Sequence, residues 1–328
     1  MLGDYALPKC DRCKVREAVV FQRHTGLRLC KECFMDDLRQ RVLHQVRKYR
    51  MILPGDRVLV GVSGGKDSYV LLKILSEIHS SSKIIGVMIE EGIRGYNRSE
   101  IFNYMKNICK ALNIDCILTS IKEELGYSVD DFMELQLKKF GRIEISACTY
   151  CGIARRRILN TYARRYGADK VATGHNLDDE AQTYIINILR GDIMRLLQLH
   201  PLSNVHSKLL VKRIKPLRAV YEYETAFAAY LDNFRFQESE CPYIVQRPTL
   251  RARLREVLNE IERVKPGIQL RFLQEIDMLL EPFVETQNRN NLTLPLCTRC
   301  GEPTAPGRKL CKFCELIDTV IGMTNIET

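Results

Sequence analysis

The chain has 328 residues, 45% hydrophobic and 27% charged, with 50 basic against 40 acidic side chains for a formal charge of +10. That composition is globular rather than disordered. No apolar run reaches the roughly eighteen residues of a membrane span and no apolar signal core follows the N-terminus, so a cytoplasmic protein with no membrane partner is expected. The basic surplus favours a polyanion as partner, nucleic acid foremost.

Residues 1–35 read as a zinc module. Cys10-x2-Cys13 and Cys30-x2-Cys33 are two knuckles sixteen residues apart, a spacing that closes a tetrahedral four-thiolate site, and so short a segment draws its folding energy from the metal. Thirteen cysteines in a chain read as cytosolic favour metal over disulfides. His24 reads as a surface residue. Residues 36–55 form a basic connector helix: Leu38, Val42, Val46 and Tyr49 recur near helical spacing, Arg39, Arg41, Arg47, Lys48 and Arg50 take other faces, and Pro54-Gly55 ends it. A solvated connector and an RNA contact are both open for it.

From 56 to 245 strands and helices alternate. Val58 to Val62, Gly61 included, is a Val-rich strand that stops at Ser63-Gly64-Gly65. Lys66 follows, and a helical pattern begins at Asp67, runs through Ser68, and carries an apolar face from Tyr69 to Ile78. Glycines at such a turn let the backbone close on an anion, and the free N–H groups and dipole of the helix start favour negative charge. Lys66 adds a point charge and Ser68 a hydroxyl. A Walker A loop is excluded, because Val60 and Asp67 stand where it needs Gly and Ser or Thr.

Further strands are expected at 83–89, 115–120 and 169–173, and helices at 99–112, 129–139, 153–166 and 178–189. This is an α/β fold, a doubly wound parallel sheet whose ligands bind at the carboxyl ends of the strands. The Ser63 turn, Met88 to Glu90, and Gly174-His175 lie at three such ends. Residues 200–216 read as loop, 221–234 as helix, and Cys241-Pro242 as a turn. The basic segment 246–290 holds helices at 247–264 and 269–280, and Arg247, Arg251, Arg253 and Arg255 suit an RNA phosphate surface. Residues 291–328 form a second zinc module, with Cys297-x2-Cys300 and Cys311-x2-Cys314 ten residues apart.

Two further clusters carry chemistry. In Gly174-His175-Asn176-Leu177-Asp178-Asp179-Glu180, Asn176 or a neighbour can cap a helix whose positive end the acids complement. Beside a phosphate loop those carboxylates also suit magnesium or a proton. Cys148 and Cys151 open a helix that continues Arg155-Arg156-Arg157, a setting that lowers thiol pKa and predicts thiolate-rich cysteines. A redox or persulfide pair, half a zinc site and iron–sulfur ligation compete. Cys241, followed by proline as in ferredoxin ligands, favours the last. Three thiolates leave one iron open. Cys109 and Cys116 remain, and read as buried packing thiols.

Ser63 to Ser68 matches Ser-Gly-Gly-x-Asp-Ser, and Gly174 to Asp179 matches Gly-His-x-x-Asp-Asp, two motifs of the PP-loop ATP pyrophosphatases. With both four-cysteine sets, Cys148, Cys151 and Cys241, the chain resembles the TtcA/TtuA family of tRNA 2-thiolation enzymes over nearly its whole length, in the branch of archaeal TtuA and the cytosolic thiouridylases. The resemblance implies ATP with Mg2+, a [4Fe-4S] cluster on the three lone cysteines, a tRNA uridine as substrate, and sulfur from a ubiquitin-like carrier with a C-terminal thiocarboxylate. ATP would lie in the Ser63 loop, with adenine near Met88 and Gly61. Asp67 and Asp179, with magnesium and Lys66, would manage the charge as the uridine C2 oxygen is adenylated and then replaced by sulfur. Several bacterial members carry a catalytic lysine four residues after the second cluster cysteine. Arg155 stands there, as in the eukaryotic-type pattern that acts at the wobble uridine, and stays charged at neutral pH, so it would stabilise phosphate or adenylate. A tRNA-adenylating enzyme that adds an amine, or a zinc-organised RNA-binding protein with a vestigial nucleotide loop, would not need the three lone cysteines. The oligomeric state is open, a homodimer included.

Overall fold

The computed structural model describes residues 8–96, 99–235, 241–245, 250–289 and 293–322. A hairpin of β1 (Val20–Gln22) and β2 (Leu27–Leu29) precedes α1 (Lys31–Lys48). The central unit runs β3 (Val58–Val62), α2 (Lys66–Ile78), β4 (Ile84–Glu90), α3 (Ser99–Ala111), β5 (Asp115–Ser120), α4 (Ile121–Leu125), α5 (Val129–Phe140), α6 (Ala147–Arg165), β6 (Lys170–Ala172), α7 (Leu177–Leu189), α8 (Ile193–Leu199), β7 (Lys212–Ile214) and α9 (Glu222–Leu231). It is followed by α10 (Pro242–Val245), α11 (Leu250–Val264), α12 (Ile268–Arg289) and α13 (Lys312–Ile321).

The expected parallel sheet is present, in the order β5-β4-β3-β6-β7. Alternation along β3 shows why both faces are covered. Val58, Val60 and Val62 pack with α1, α2 and α3 on one side, whereas Leu59 joins α5 and α6 on the other. The chain leaves β3 toward β4 and β5, then crosses back to β6 and β7. The crevice between the ends of β3 and β6 is therefore the topological switch point, where such sheets bind ligands. Among the described residues, no helix is long and apolar enough to cross a membrane.

Several expectations are corrected. Residues 200–216 are not all loop, because β7 adds a fifth strand there. The helix expected at 269–280 runs on to Arg289 through Pro282. Its buried face continues past the proline with Val284 and Gln287, and that packing offsets the lost backbone bond. Cys109 and Cys116 are a disulfide rather than packing thiols. The turn after α3, with Asn113 at φ 56, brings their Cα atoms to 6.1 Å, within disulfide reach. His24 is half-buried rather than free on the surface; it packs on Tyr221 at 5.1 Å between ring centres. The connector helix begins inside the zinc module, at Lys31. Its buried Phe34, Leu38, Val42 and Val46 share one core with Cys10, Cys30 and the α2 helix.

Candidate active site

The turn after β3 is closed by its own side chains. The Ser63 amide donates to Ser68 Oγ at 3.2 Å, and Ser68 Oγ donates to the Gly65 carbonyl at 2.9 Å. Gly64 has φ +80, and a Cβ there would meet Ile101 at 2.5 Å, so only glycine fits. Gly65 is the N-cap of α2 without a side-chain cap, which leaves the first amides of the helix for a ligand. Gly61 lies in the β3 ladder opposite Val87, and Met88 is a core side chain, 1% exposed. What either can offer a ligand is main chain.

Asp67 is held from two directions. Its Oδ1 accepts from Thr225 Oγ1 at 2.5 Å and from Asn176 Nδ2 at 3.2 Å. Lys66 Nζ bridges Asp67 at 3.1 Å and Glu222 at 3.0 Å. Across the switch point, Asn176 caps α7 in a reciprocal box with Asp179. Gly174 lies directly on the loop: a Cβ there would stand 3.0 Å from the Asp67 carbonyl carbon and from the Ser68 nitrogen. The two motifs thus pack backbone to backbone, with Asp67 and Asp179 on either side of the crevice.

Burial pushes Asp178 up to about 6, against the Glu222 amide it accepts at 2.7 Å. Burial also raises Asp179, and Arg251 opposes it from 3.3 Å. Arg255 pairs with Glu222 at 2.8 Å. Two of the arginines expected to track RNA are thus turned onto the carboxylates of this site; Arg247 lies outside the described residues. Sequence reasoning missed Glu222 and Thr225 altogether. They open α9 some 155 residues after the loop, and no motif marks them.

The three lone cysteines lie in one neighbourhood, near enough for the charge of Cys148 to act on the other two. Glu91, the next residue after β4, pairs with Arg155 at 3.6 Å, and Arg155 lies against Cys151. Cys241 precedes α10, which packs on α6 and is tied to α5 by a 2.7 Å bond from Tyr243 to Asp130. Cys241 and Cys151 both feel the charge of Cys148. The expected thiolate-rich state is not found at Cys151. Burial pushes Cys151 up to about 12 despite Arg155, and burial raises Cys241 as well. A buried, protonated thiol is a poor free nucleophile but a ready ligand once a cation displaces its proton. Eight of the thirteen cysteines lie in the two terminal sets and two in the disulfide, so no fourth thiol remains to close this site. The set therefore suits a group that keeps one position open.

In each terminal set all four sulfurs lie within 4.8 Å of one another. Cys13 and Cys30 stand 4.0 Å apart, and Cys300 and Cys311 3.6 Å. An ion with bonds of about 2.3 Å in a tetrahedron sets edges of about 3.8 Å, so both sets fit one four-thiolate metal each. Arg157, two residues past Arg155 on α6, donates to Cys300 at 3.4 Å and lies over the Phe313 ring at 4.8 Å.

A strand ending in a glycine turn over a helix, facing an acid-opened helix across a switch point, defines a PP-loop nucleotide-binding protein. The family model described as PP-loop domain matches residues 36–261, and the one described as 2-thiouridine synthetase TtuA, N-terminal LIM domain matches residues 9–35. A Thermus thermophilus protein named tRNA-5-methyluridine(54) 2-sulfurtransferase is 34% identical over 94% of this chain and 91% of its own. The Haloferax volcanii tRNA 2-thiolation protein NcsA is 32% identical over 95% of this chain and 99% of its own. Among solved structures, the U34-tRNA thiolase NcsA of Methanococcus maripaludis, with its [4Fe-4S] cluster, superimposes with a TM-score of 0.74 at 28% identity, covering 98% of this chain and 97% of that one. The chain belongs to the TtuA/NcsA family of tRNA 2-thiolation proteins, which bears out the resemblance read from its motifs.

Proposed function

We propose that this protein is a tRNA uridine 2-sulfurtransferase that uses ATP to activate the C2 oxygen of a uridine and replaces that oxygen with sulfur. The observation that carries the reading is that the phosphate loop after β3 and the Glu91–Arg155–Cys151 cluster after β4 follow adjacent parallel strands, at the same carboxyl edge of the sheet. His175, at the end of β6, lies within reach of the Arg155 and Arg251 charges, which supports a single continuous site.

The amides after Gly65 and the Lys66 ammonium would hold the triphosphate. Asp67, kept in place by Thr225 and Asn176, and Asp179 would hold Mg2+. The uridine oxygen attacks the α-phosphate and pyrophosphate leaves; sulfur then adds at C2 and AMP leaves. Arg155 stays cationic throughout and would neutralise the adenylate phosphate. Cys148, Cys151 and Cys241 would hold a [4Fe-4S] cluster, which supplies the site of sulfur activation. The terminal sets would each hold a structural zinc, folding modules 1–35 and 291–328 against the PP-loop domain. A ubiquitin-like thiocarboxylate carrier as donor, a homodimer and a cytoplasmic location complete the proposal.

Anaerobically reconstituted protein, given ATP, sulfide and unmodified tRNA, should yield 2-thiouridine, mapped by nucleoside mass spectrometry. Replacing Cys148, Cys151 or Cys241 with alanine should abolish the product and spare nucleotide binding. Full thiolation by an iron-free, air-exposed preparation would overturn the reading.

A further inference from the structure

In this site three cations stand on three carboxylates. Lys66 bridges Asp67 and Glu222, Arg255 takes the second oxygen of Glu222, and Arg251 takes Asp179. Both arginines come from α11. Their spacing of four residues puts them on one face of the helix, and that face spans the first turn of α7 and the first residue of α9. Arg251 also donates to Thr183 Oγ1 at 2.6 Å, one helical turn beyond Asp179. Arg253 stands about 200° around the helix from Arg251, away from this face. Both guanidinium groups are half-exposed, so they are open to a further partner.

Asp67 and Asp179 are the carboxylates placed to take a divalent cation. A metal that occupies Asp179 removes the reason for Arg251 to stay on it. A triphosphate drawn to Lys66 likewise competes for the cations around Glu222. Lys66 is a single point charge, too little for a leaving pyrophosphate, whereas guanidinium groups bind phosphate oxygens in a planar, bidentate fork. We propose that Arg251 and Arg255 are ligands of the β- and γ-phosphates of ATP, parked on Asp179 and Glu222 until magnesium and nucleotide exchange those partners. This rests on the PP-loop reading of the site but not on which reaction follows.

The test uses the full-length protein and magnesium with a non-hydrolysable ATP analogue, by calorimetry, alongside tRNA binding across a salt series. Arg251→Gln and Arg255→Gln should each weaken the analogue by about tenfold or more, the size of one lost charge-assisted contact, and leave tRNA affinity and its salt slope unchanged. Arg251→Lys, which keeps the charge and loses the fork, should fall between. Arg263→Gln, on the last turn of the same helix, should bind the analogue as wild type does. Melting curves and metal content confirm that each variant is folded. Analogue affinity within twofold of wild type in both glutamine variants, with a reduced salt slope for tRNA, would overturn the proposal and return these residues to the RNA surface. If wild type binds the analogue but makes no thiolated tRNA, the reaction is misread and this proposal stands.

Discussion

At the scale of the residue, Gly174 shows how little room the site leaves. It has ordinary backbone angles, so alanine would be tolerated but for the backbone of Asp67 and Ser68 at 3.0 Å. Gly174→Ala should cost about 1–3 kcal/mol, the usual cost of overpacking, and weaken nucleotide binding by prising the two motifs apart; urea unfolding and calorimetry would check both. The motif was legible in the sequence; the reason for its glycine was not, because it lies in a contact with residues more than a hundred positions away. Asp277 was wholly illegible. It is buried on α12, accepts both guanidinium nitrogens of the buried Arg218 at 2.5 and 2.9 Å, and accepts the Tyr49 hydroxyl at 2.7 Å. Asp277→Ala leaves that arginine only Glu180, 3.9 Å away, and should lose about 3–5 kcal/mol, while paired replacement of both residues with apolar side chains should recover most of it. Equal loss in the single and paired variants would show that the ion pair is not what holds the site.

At the scale of the element, α6 does the work of two sites. Cys148, Cys151 and Arg155 lie on its first three turns, with Arg155 paired to Glu91 just past β4, whereas Arg157 faces the C-terminal thiolates. In the sequence Arg155, Arg156 and Arg157 look like one patch of charge. Helical rotation of about 100° per residue separates them, and only the fold supplies their different partners. Arg157→Ala removes two N–H···S contacts from Cys300 and Cys311. It should weaken metal at that set by about 10–100-fold, as loss of an outer partner does elsewhere, measured by chelator competition; unchanged retention would reduce the contact to simple packing. Helices and central strands could be read because apolar residues repeat along them. β7, Lys212-Arg213-Ile214, carries two charges and a single apolar residue, so no apolar run marks it in the sequence.

At the scale of the whole molecule, the N-terminal module grips the nucleotide site. Gln22 and Arg41 both bond the fully buried Glu224 on α9, at 3.0 and 2.5 Å. Lys31 reaches Asp232 at the other end of the same helix, where Tyr69 and Lys73 of α2 also meet it. Helix α9 is the element that presents Glu222 and Thr225 to the loop. Removing the metal from Cys10, Cys13, Cys30 and Cys33, by Cys13→Ser or by chelation, should therefore weaken magnesium–nucleotide binding, although no ligand of that set touches the nucleotide. Undiminished binding in a protein shown to lack that metal would break the link. Burial lowers His24, beside Tyr223 in this contact, so its neutral form favours the folded state above its unfolded pKa of about 6.5. That contribution is lost as pH falls through the lower folded value, and the melting temperature of wild type should drop relative to His24→Gln on acidification. The modules themselves were plain from cysteine spacing, whereas their couplings run through single polar contacts that no spacing announces. Because synthesis proceeds from the N-terminus and folding follows it, this layout becomes a timetable. The first metal module and the nucleotide loop can assemble while the ribosome is still at work. Helix α6 gains its contacts with α13, and Arg157 its thiolate partners, only once residues 297–321 emerge, so a sulfur-handling centre on Cys148, Cys151 and Cys241 would be the last part of the molecule to mature.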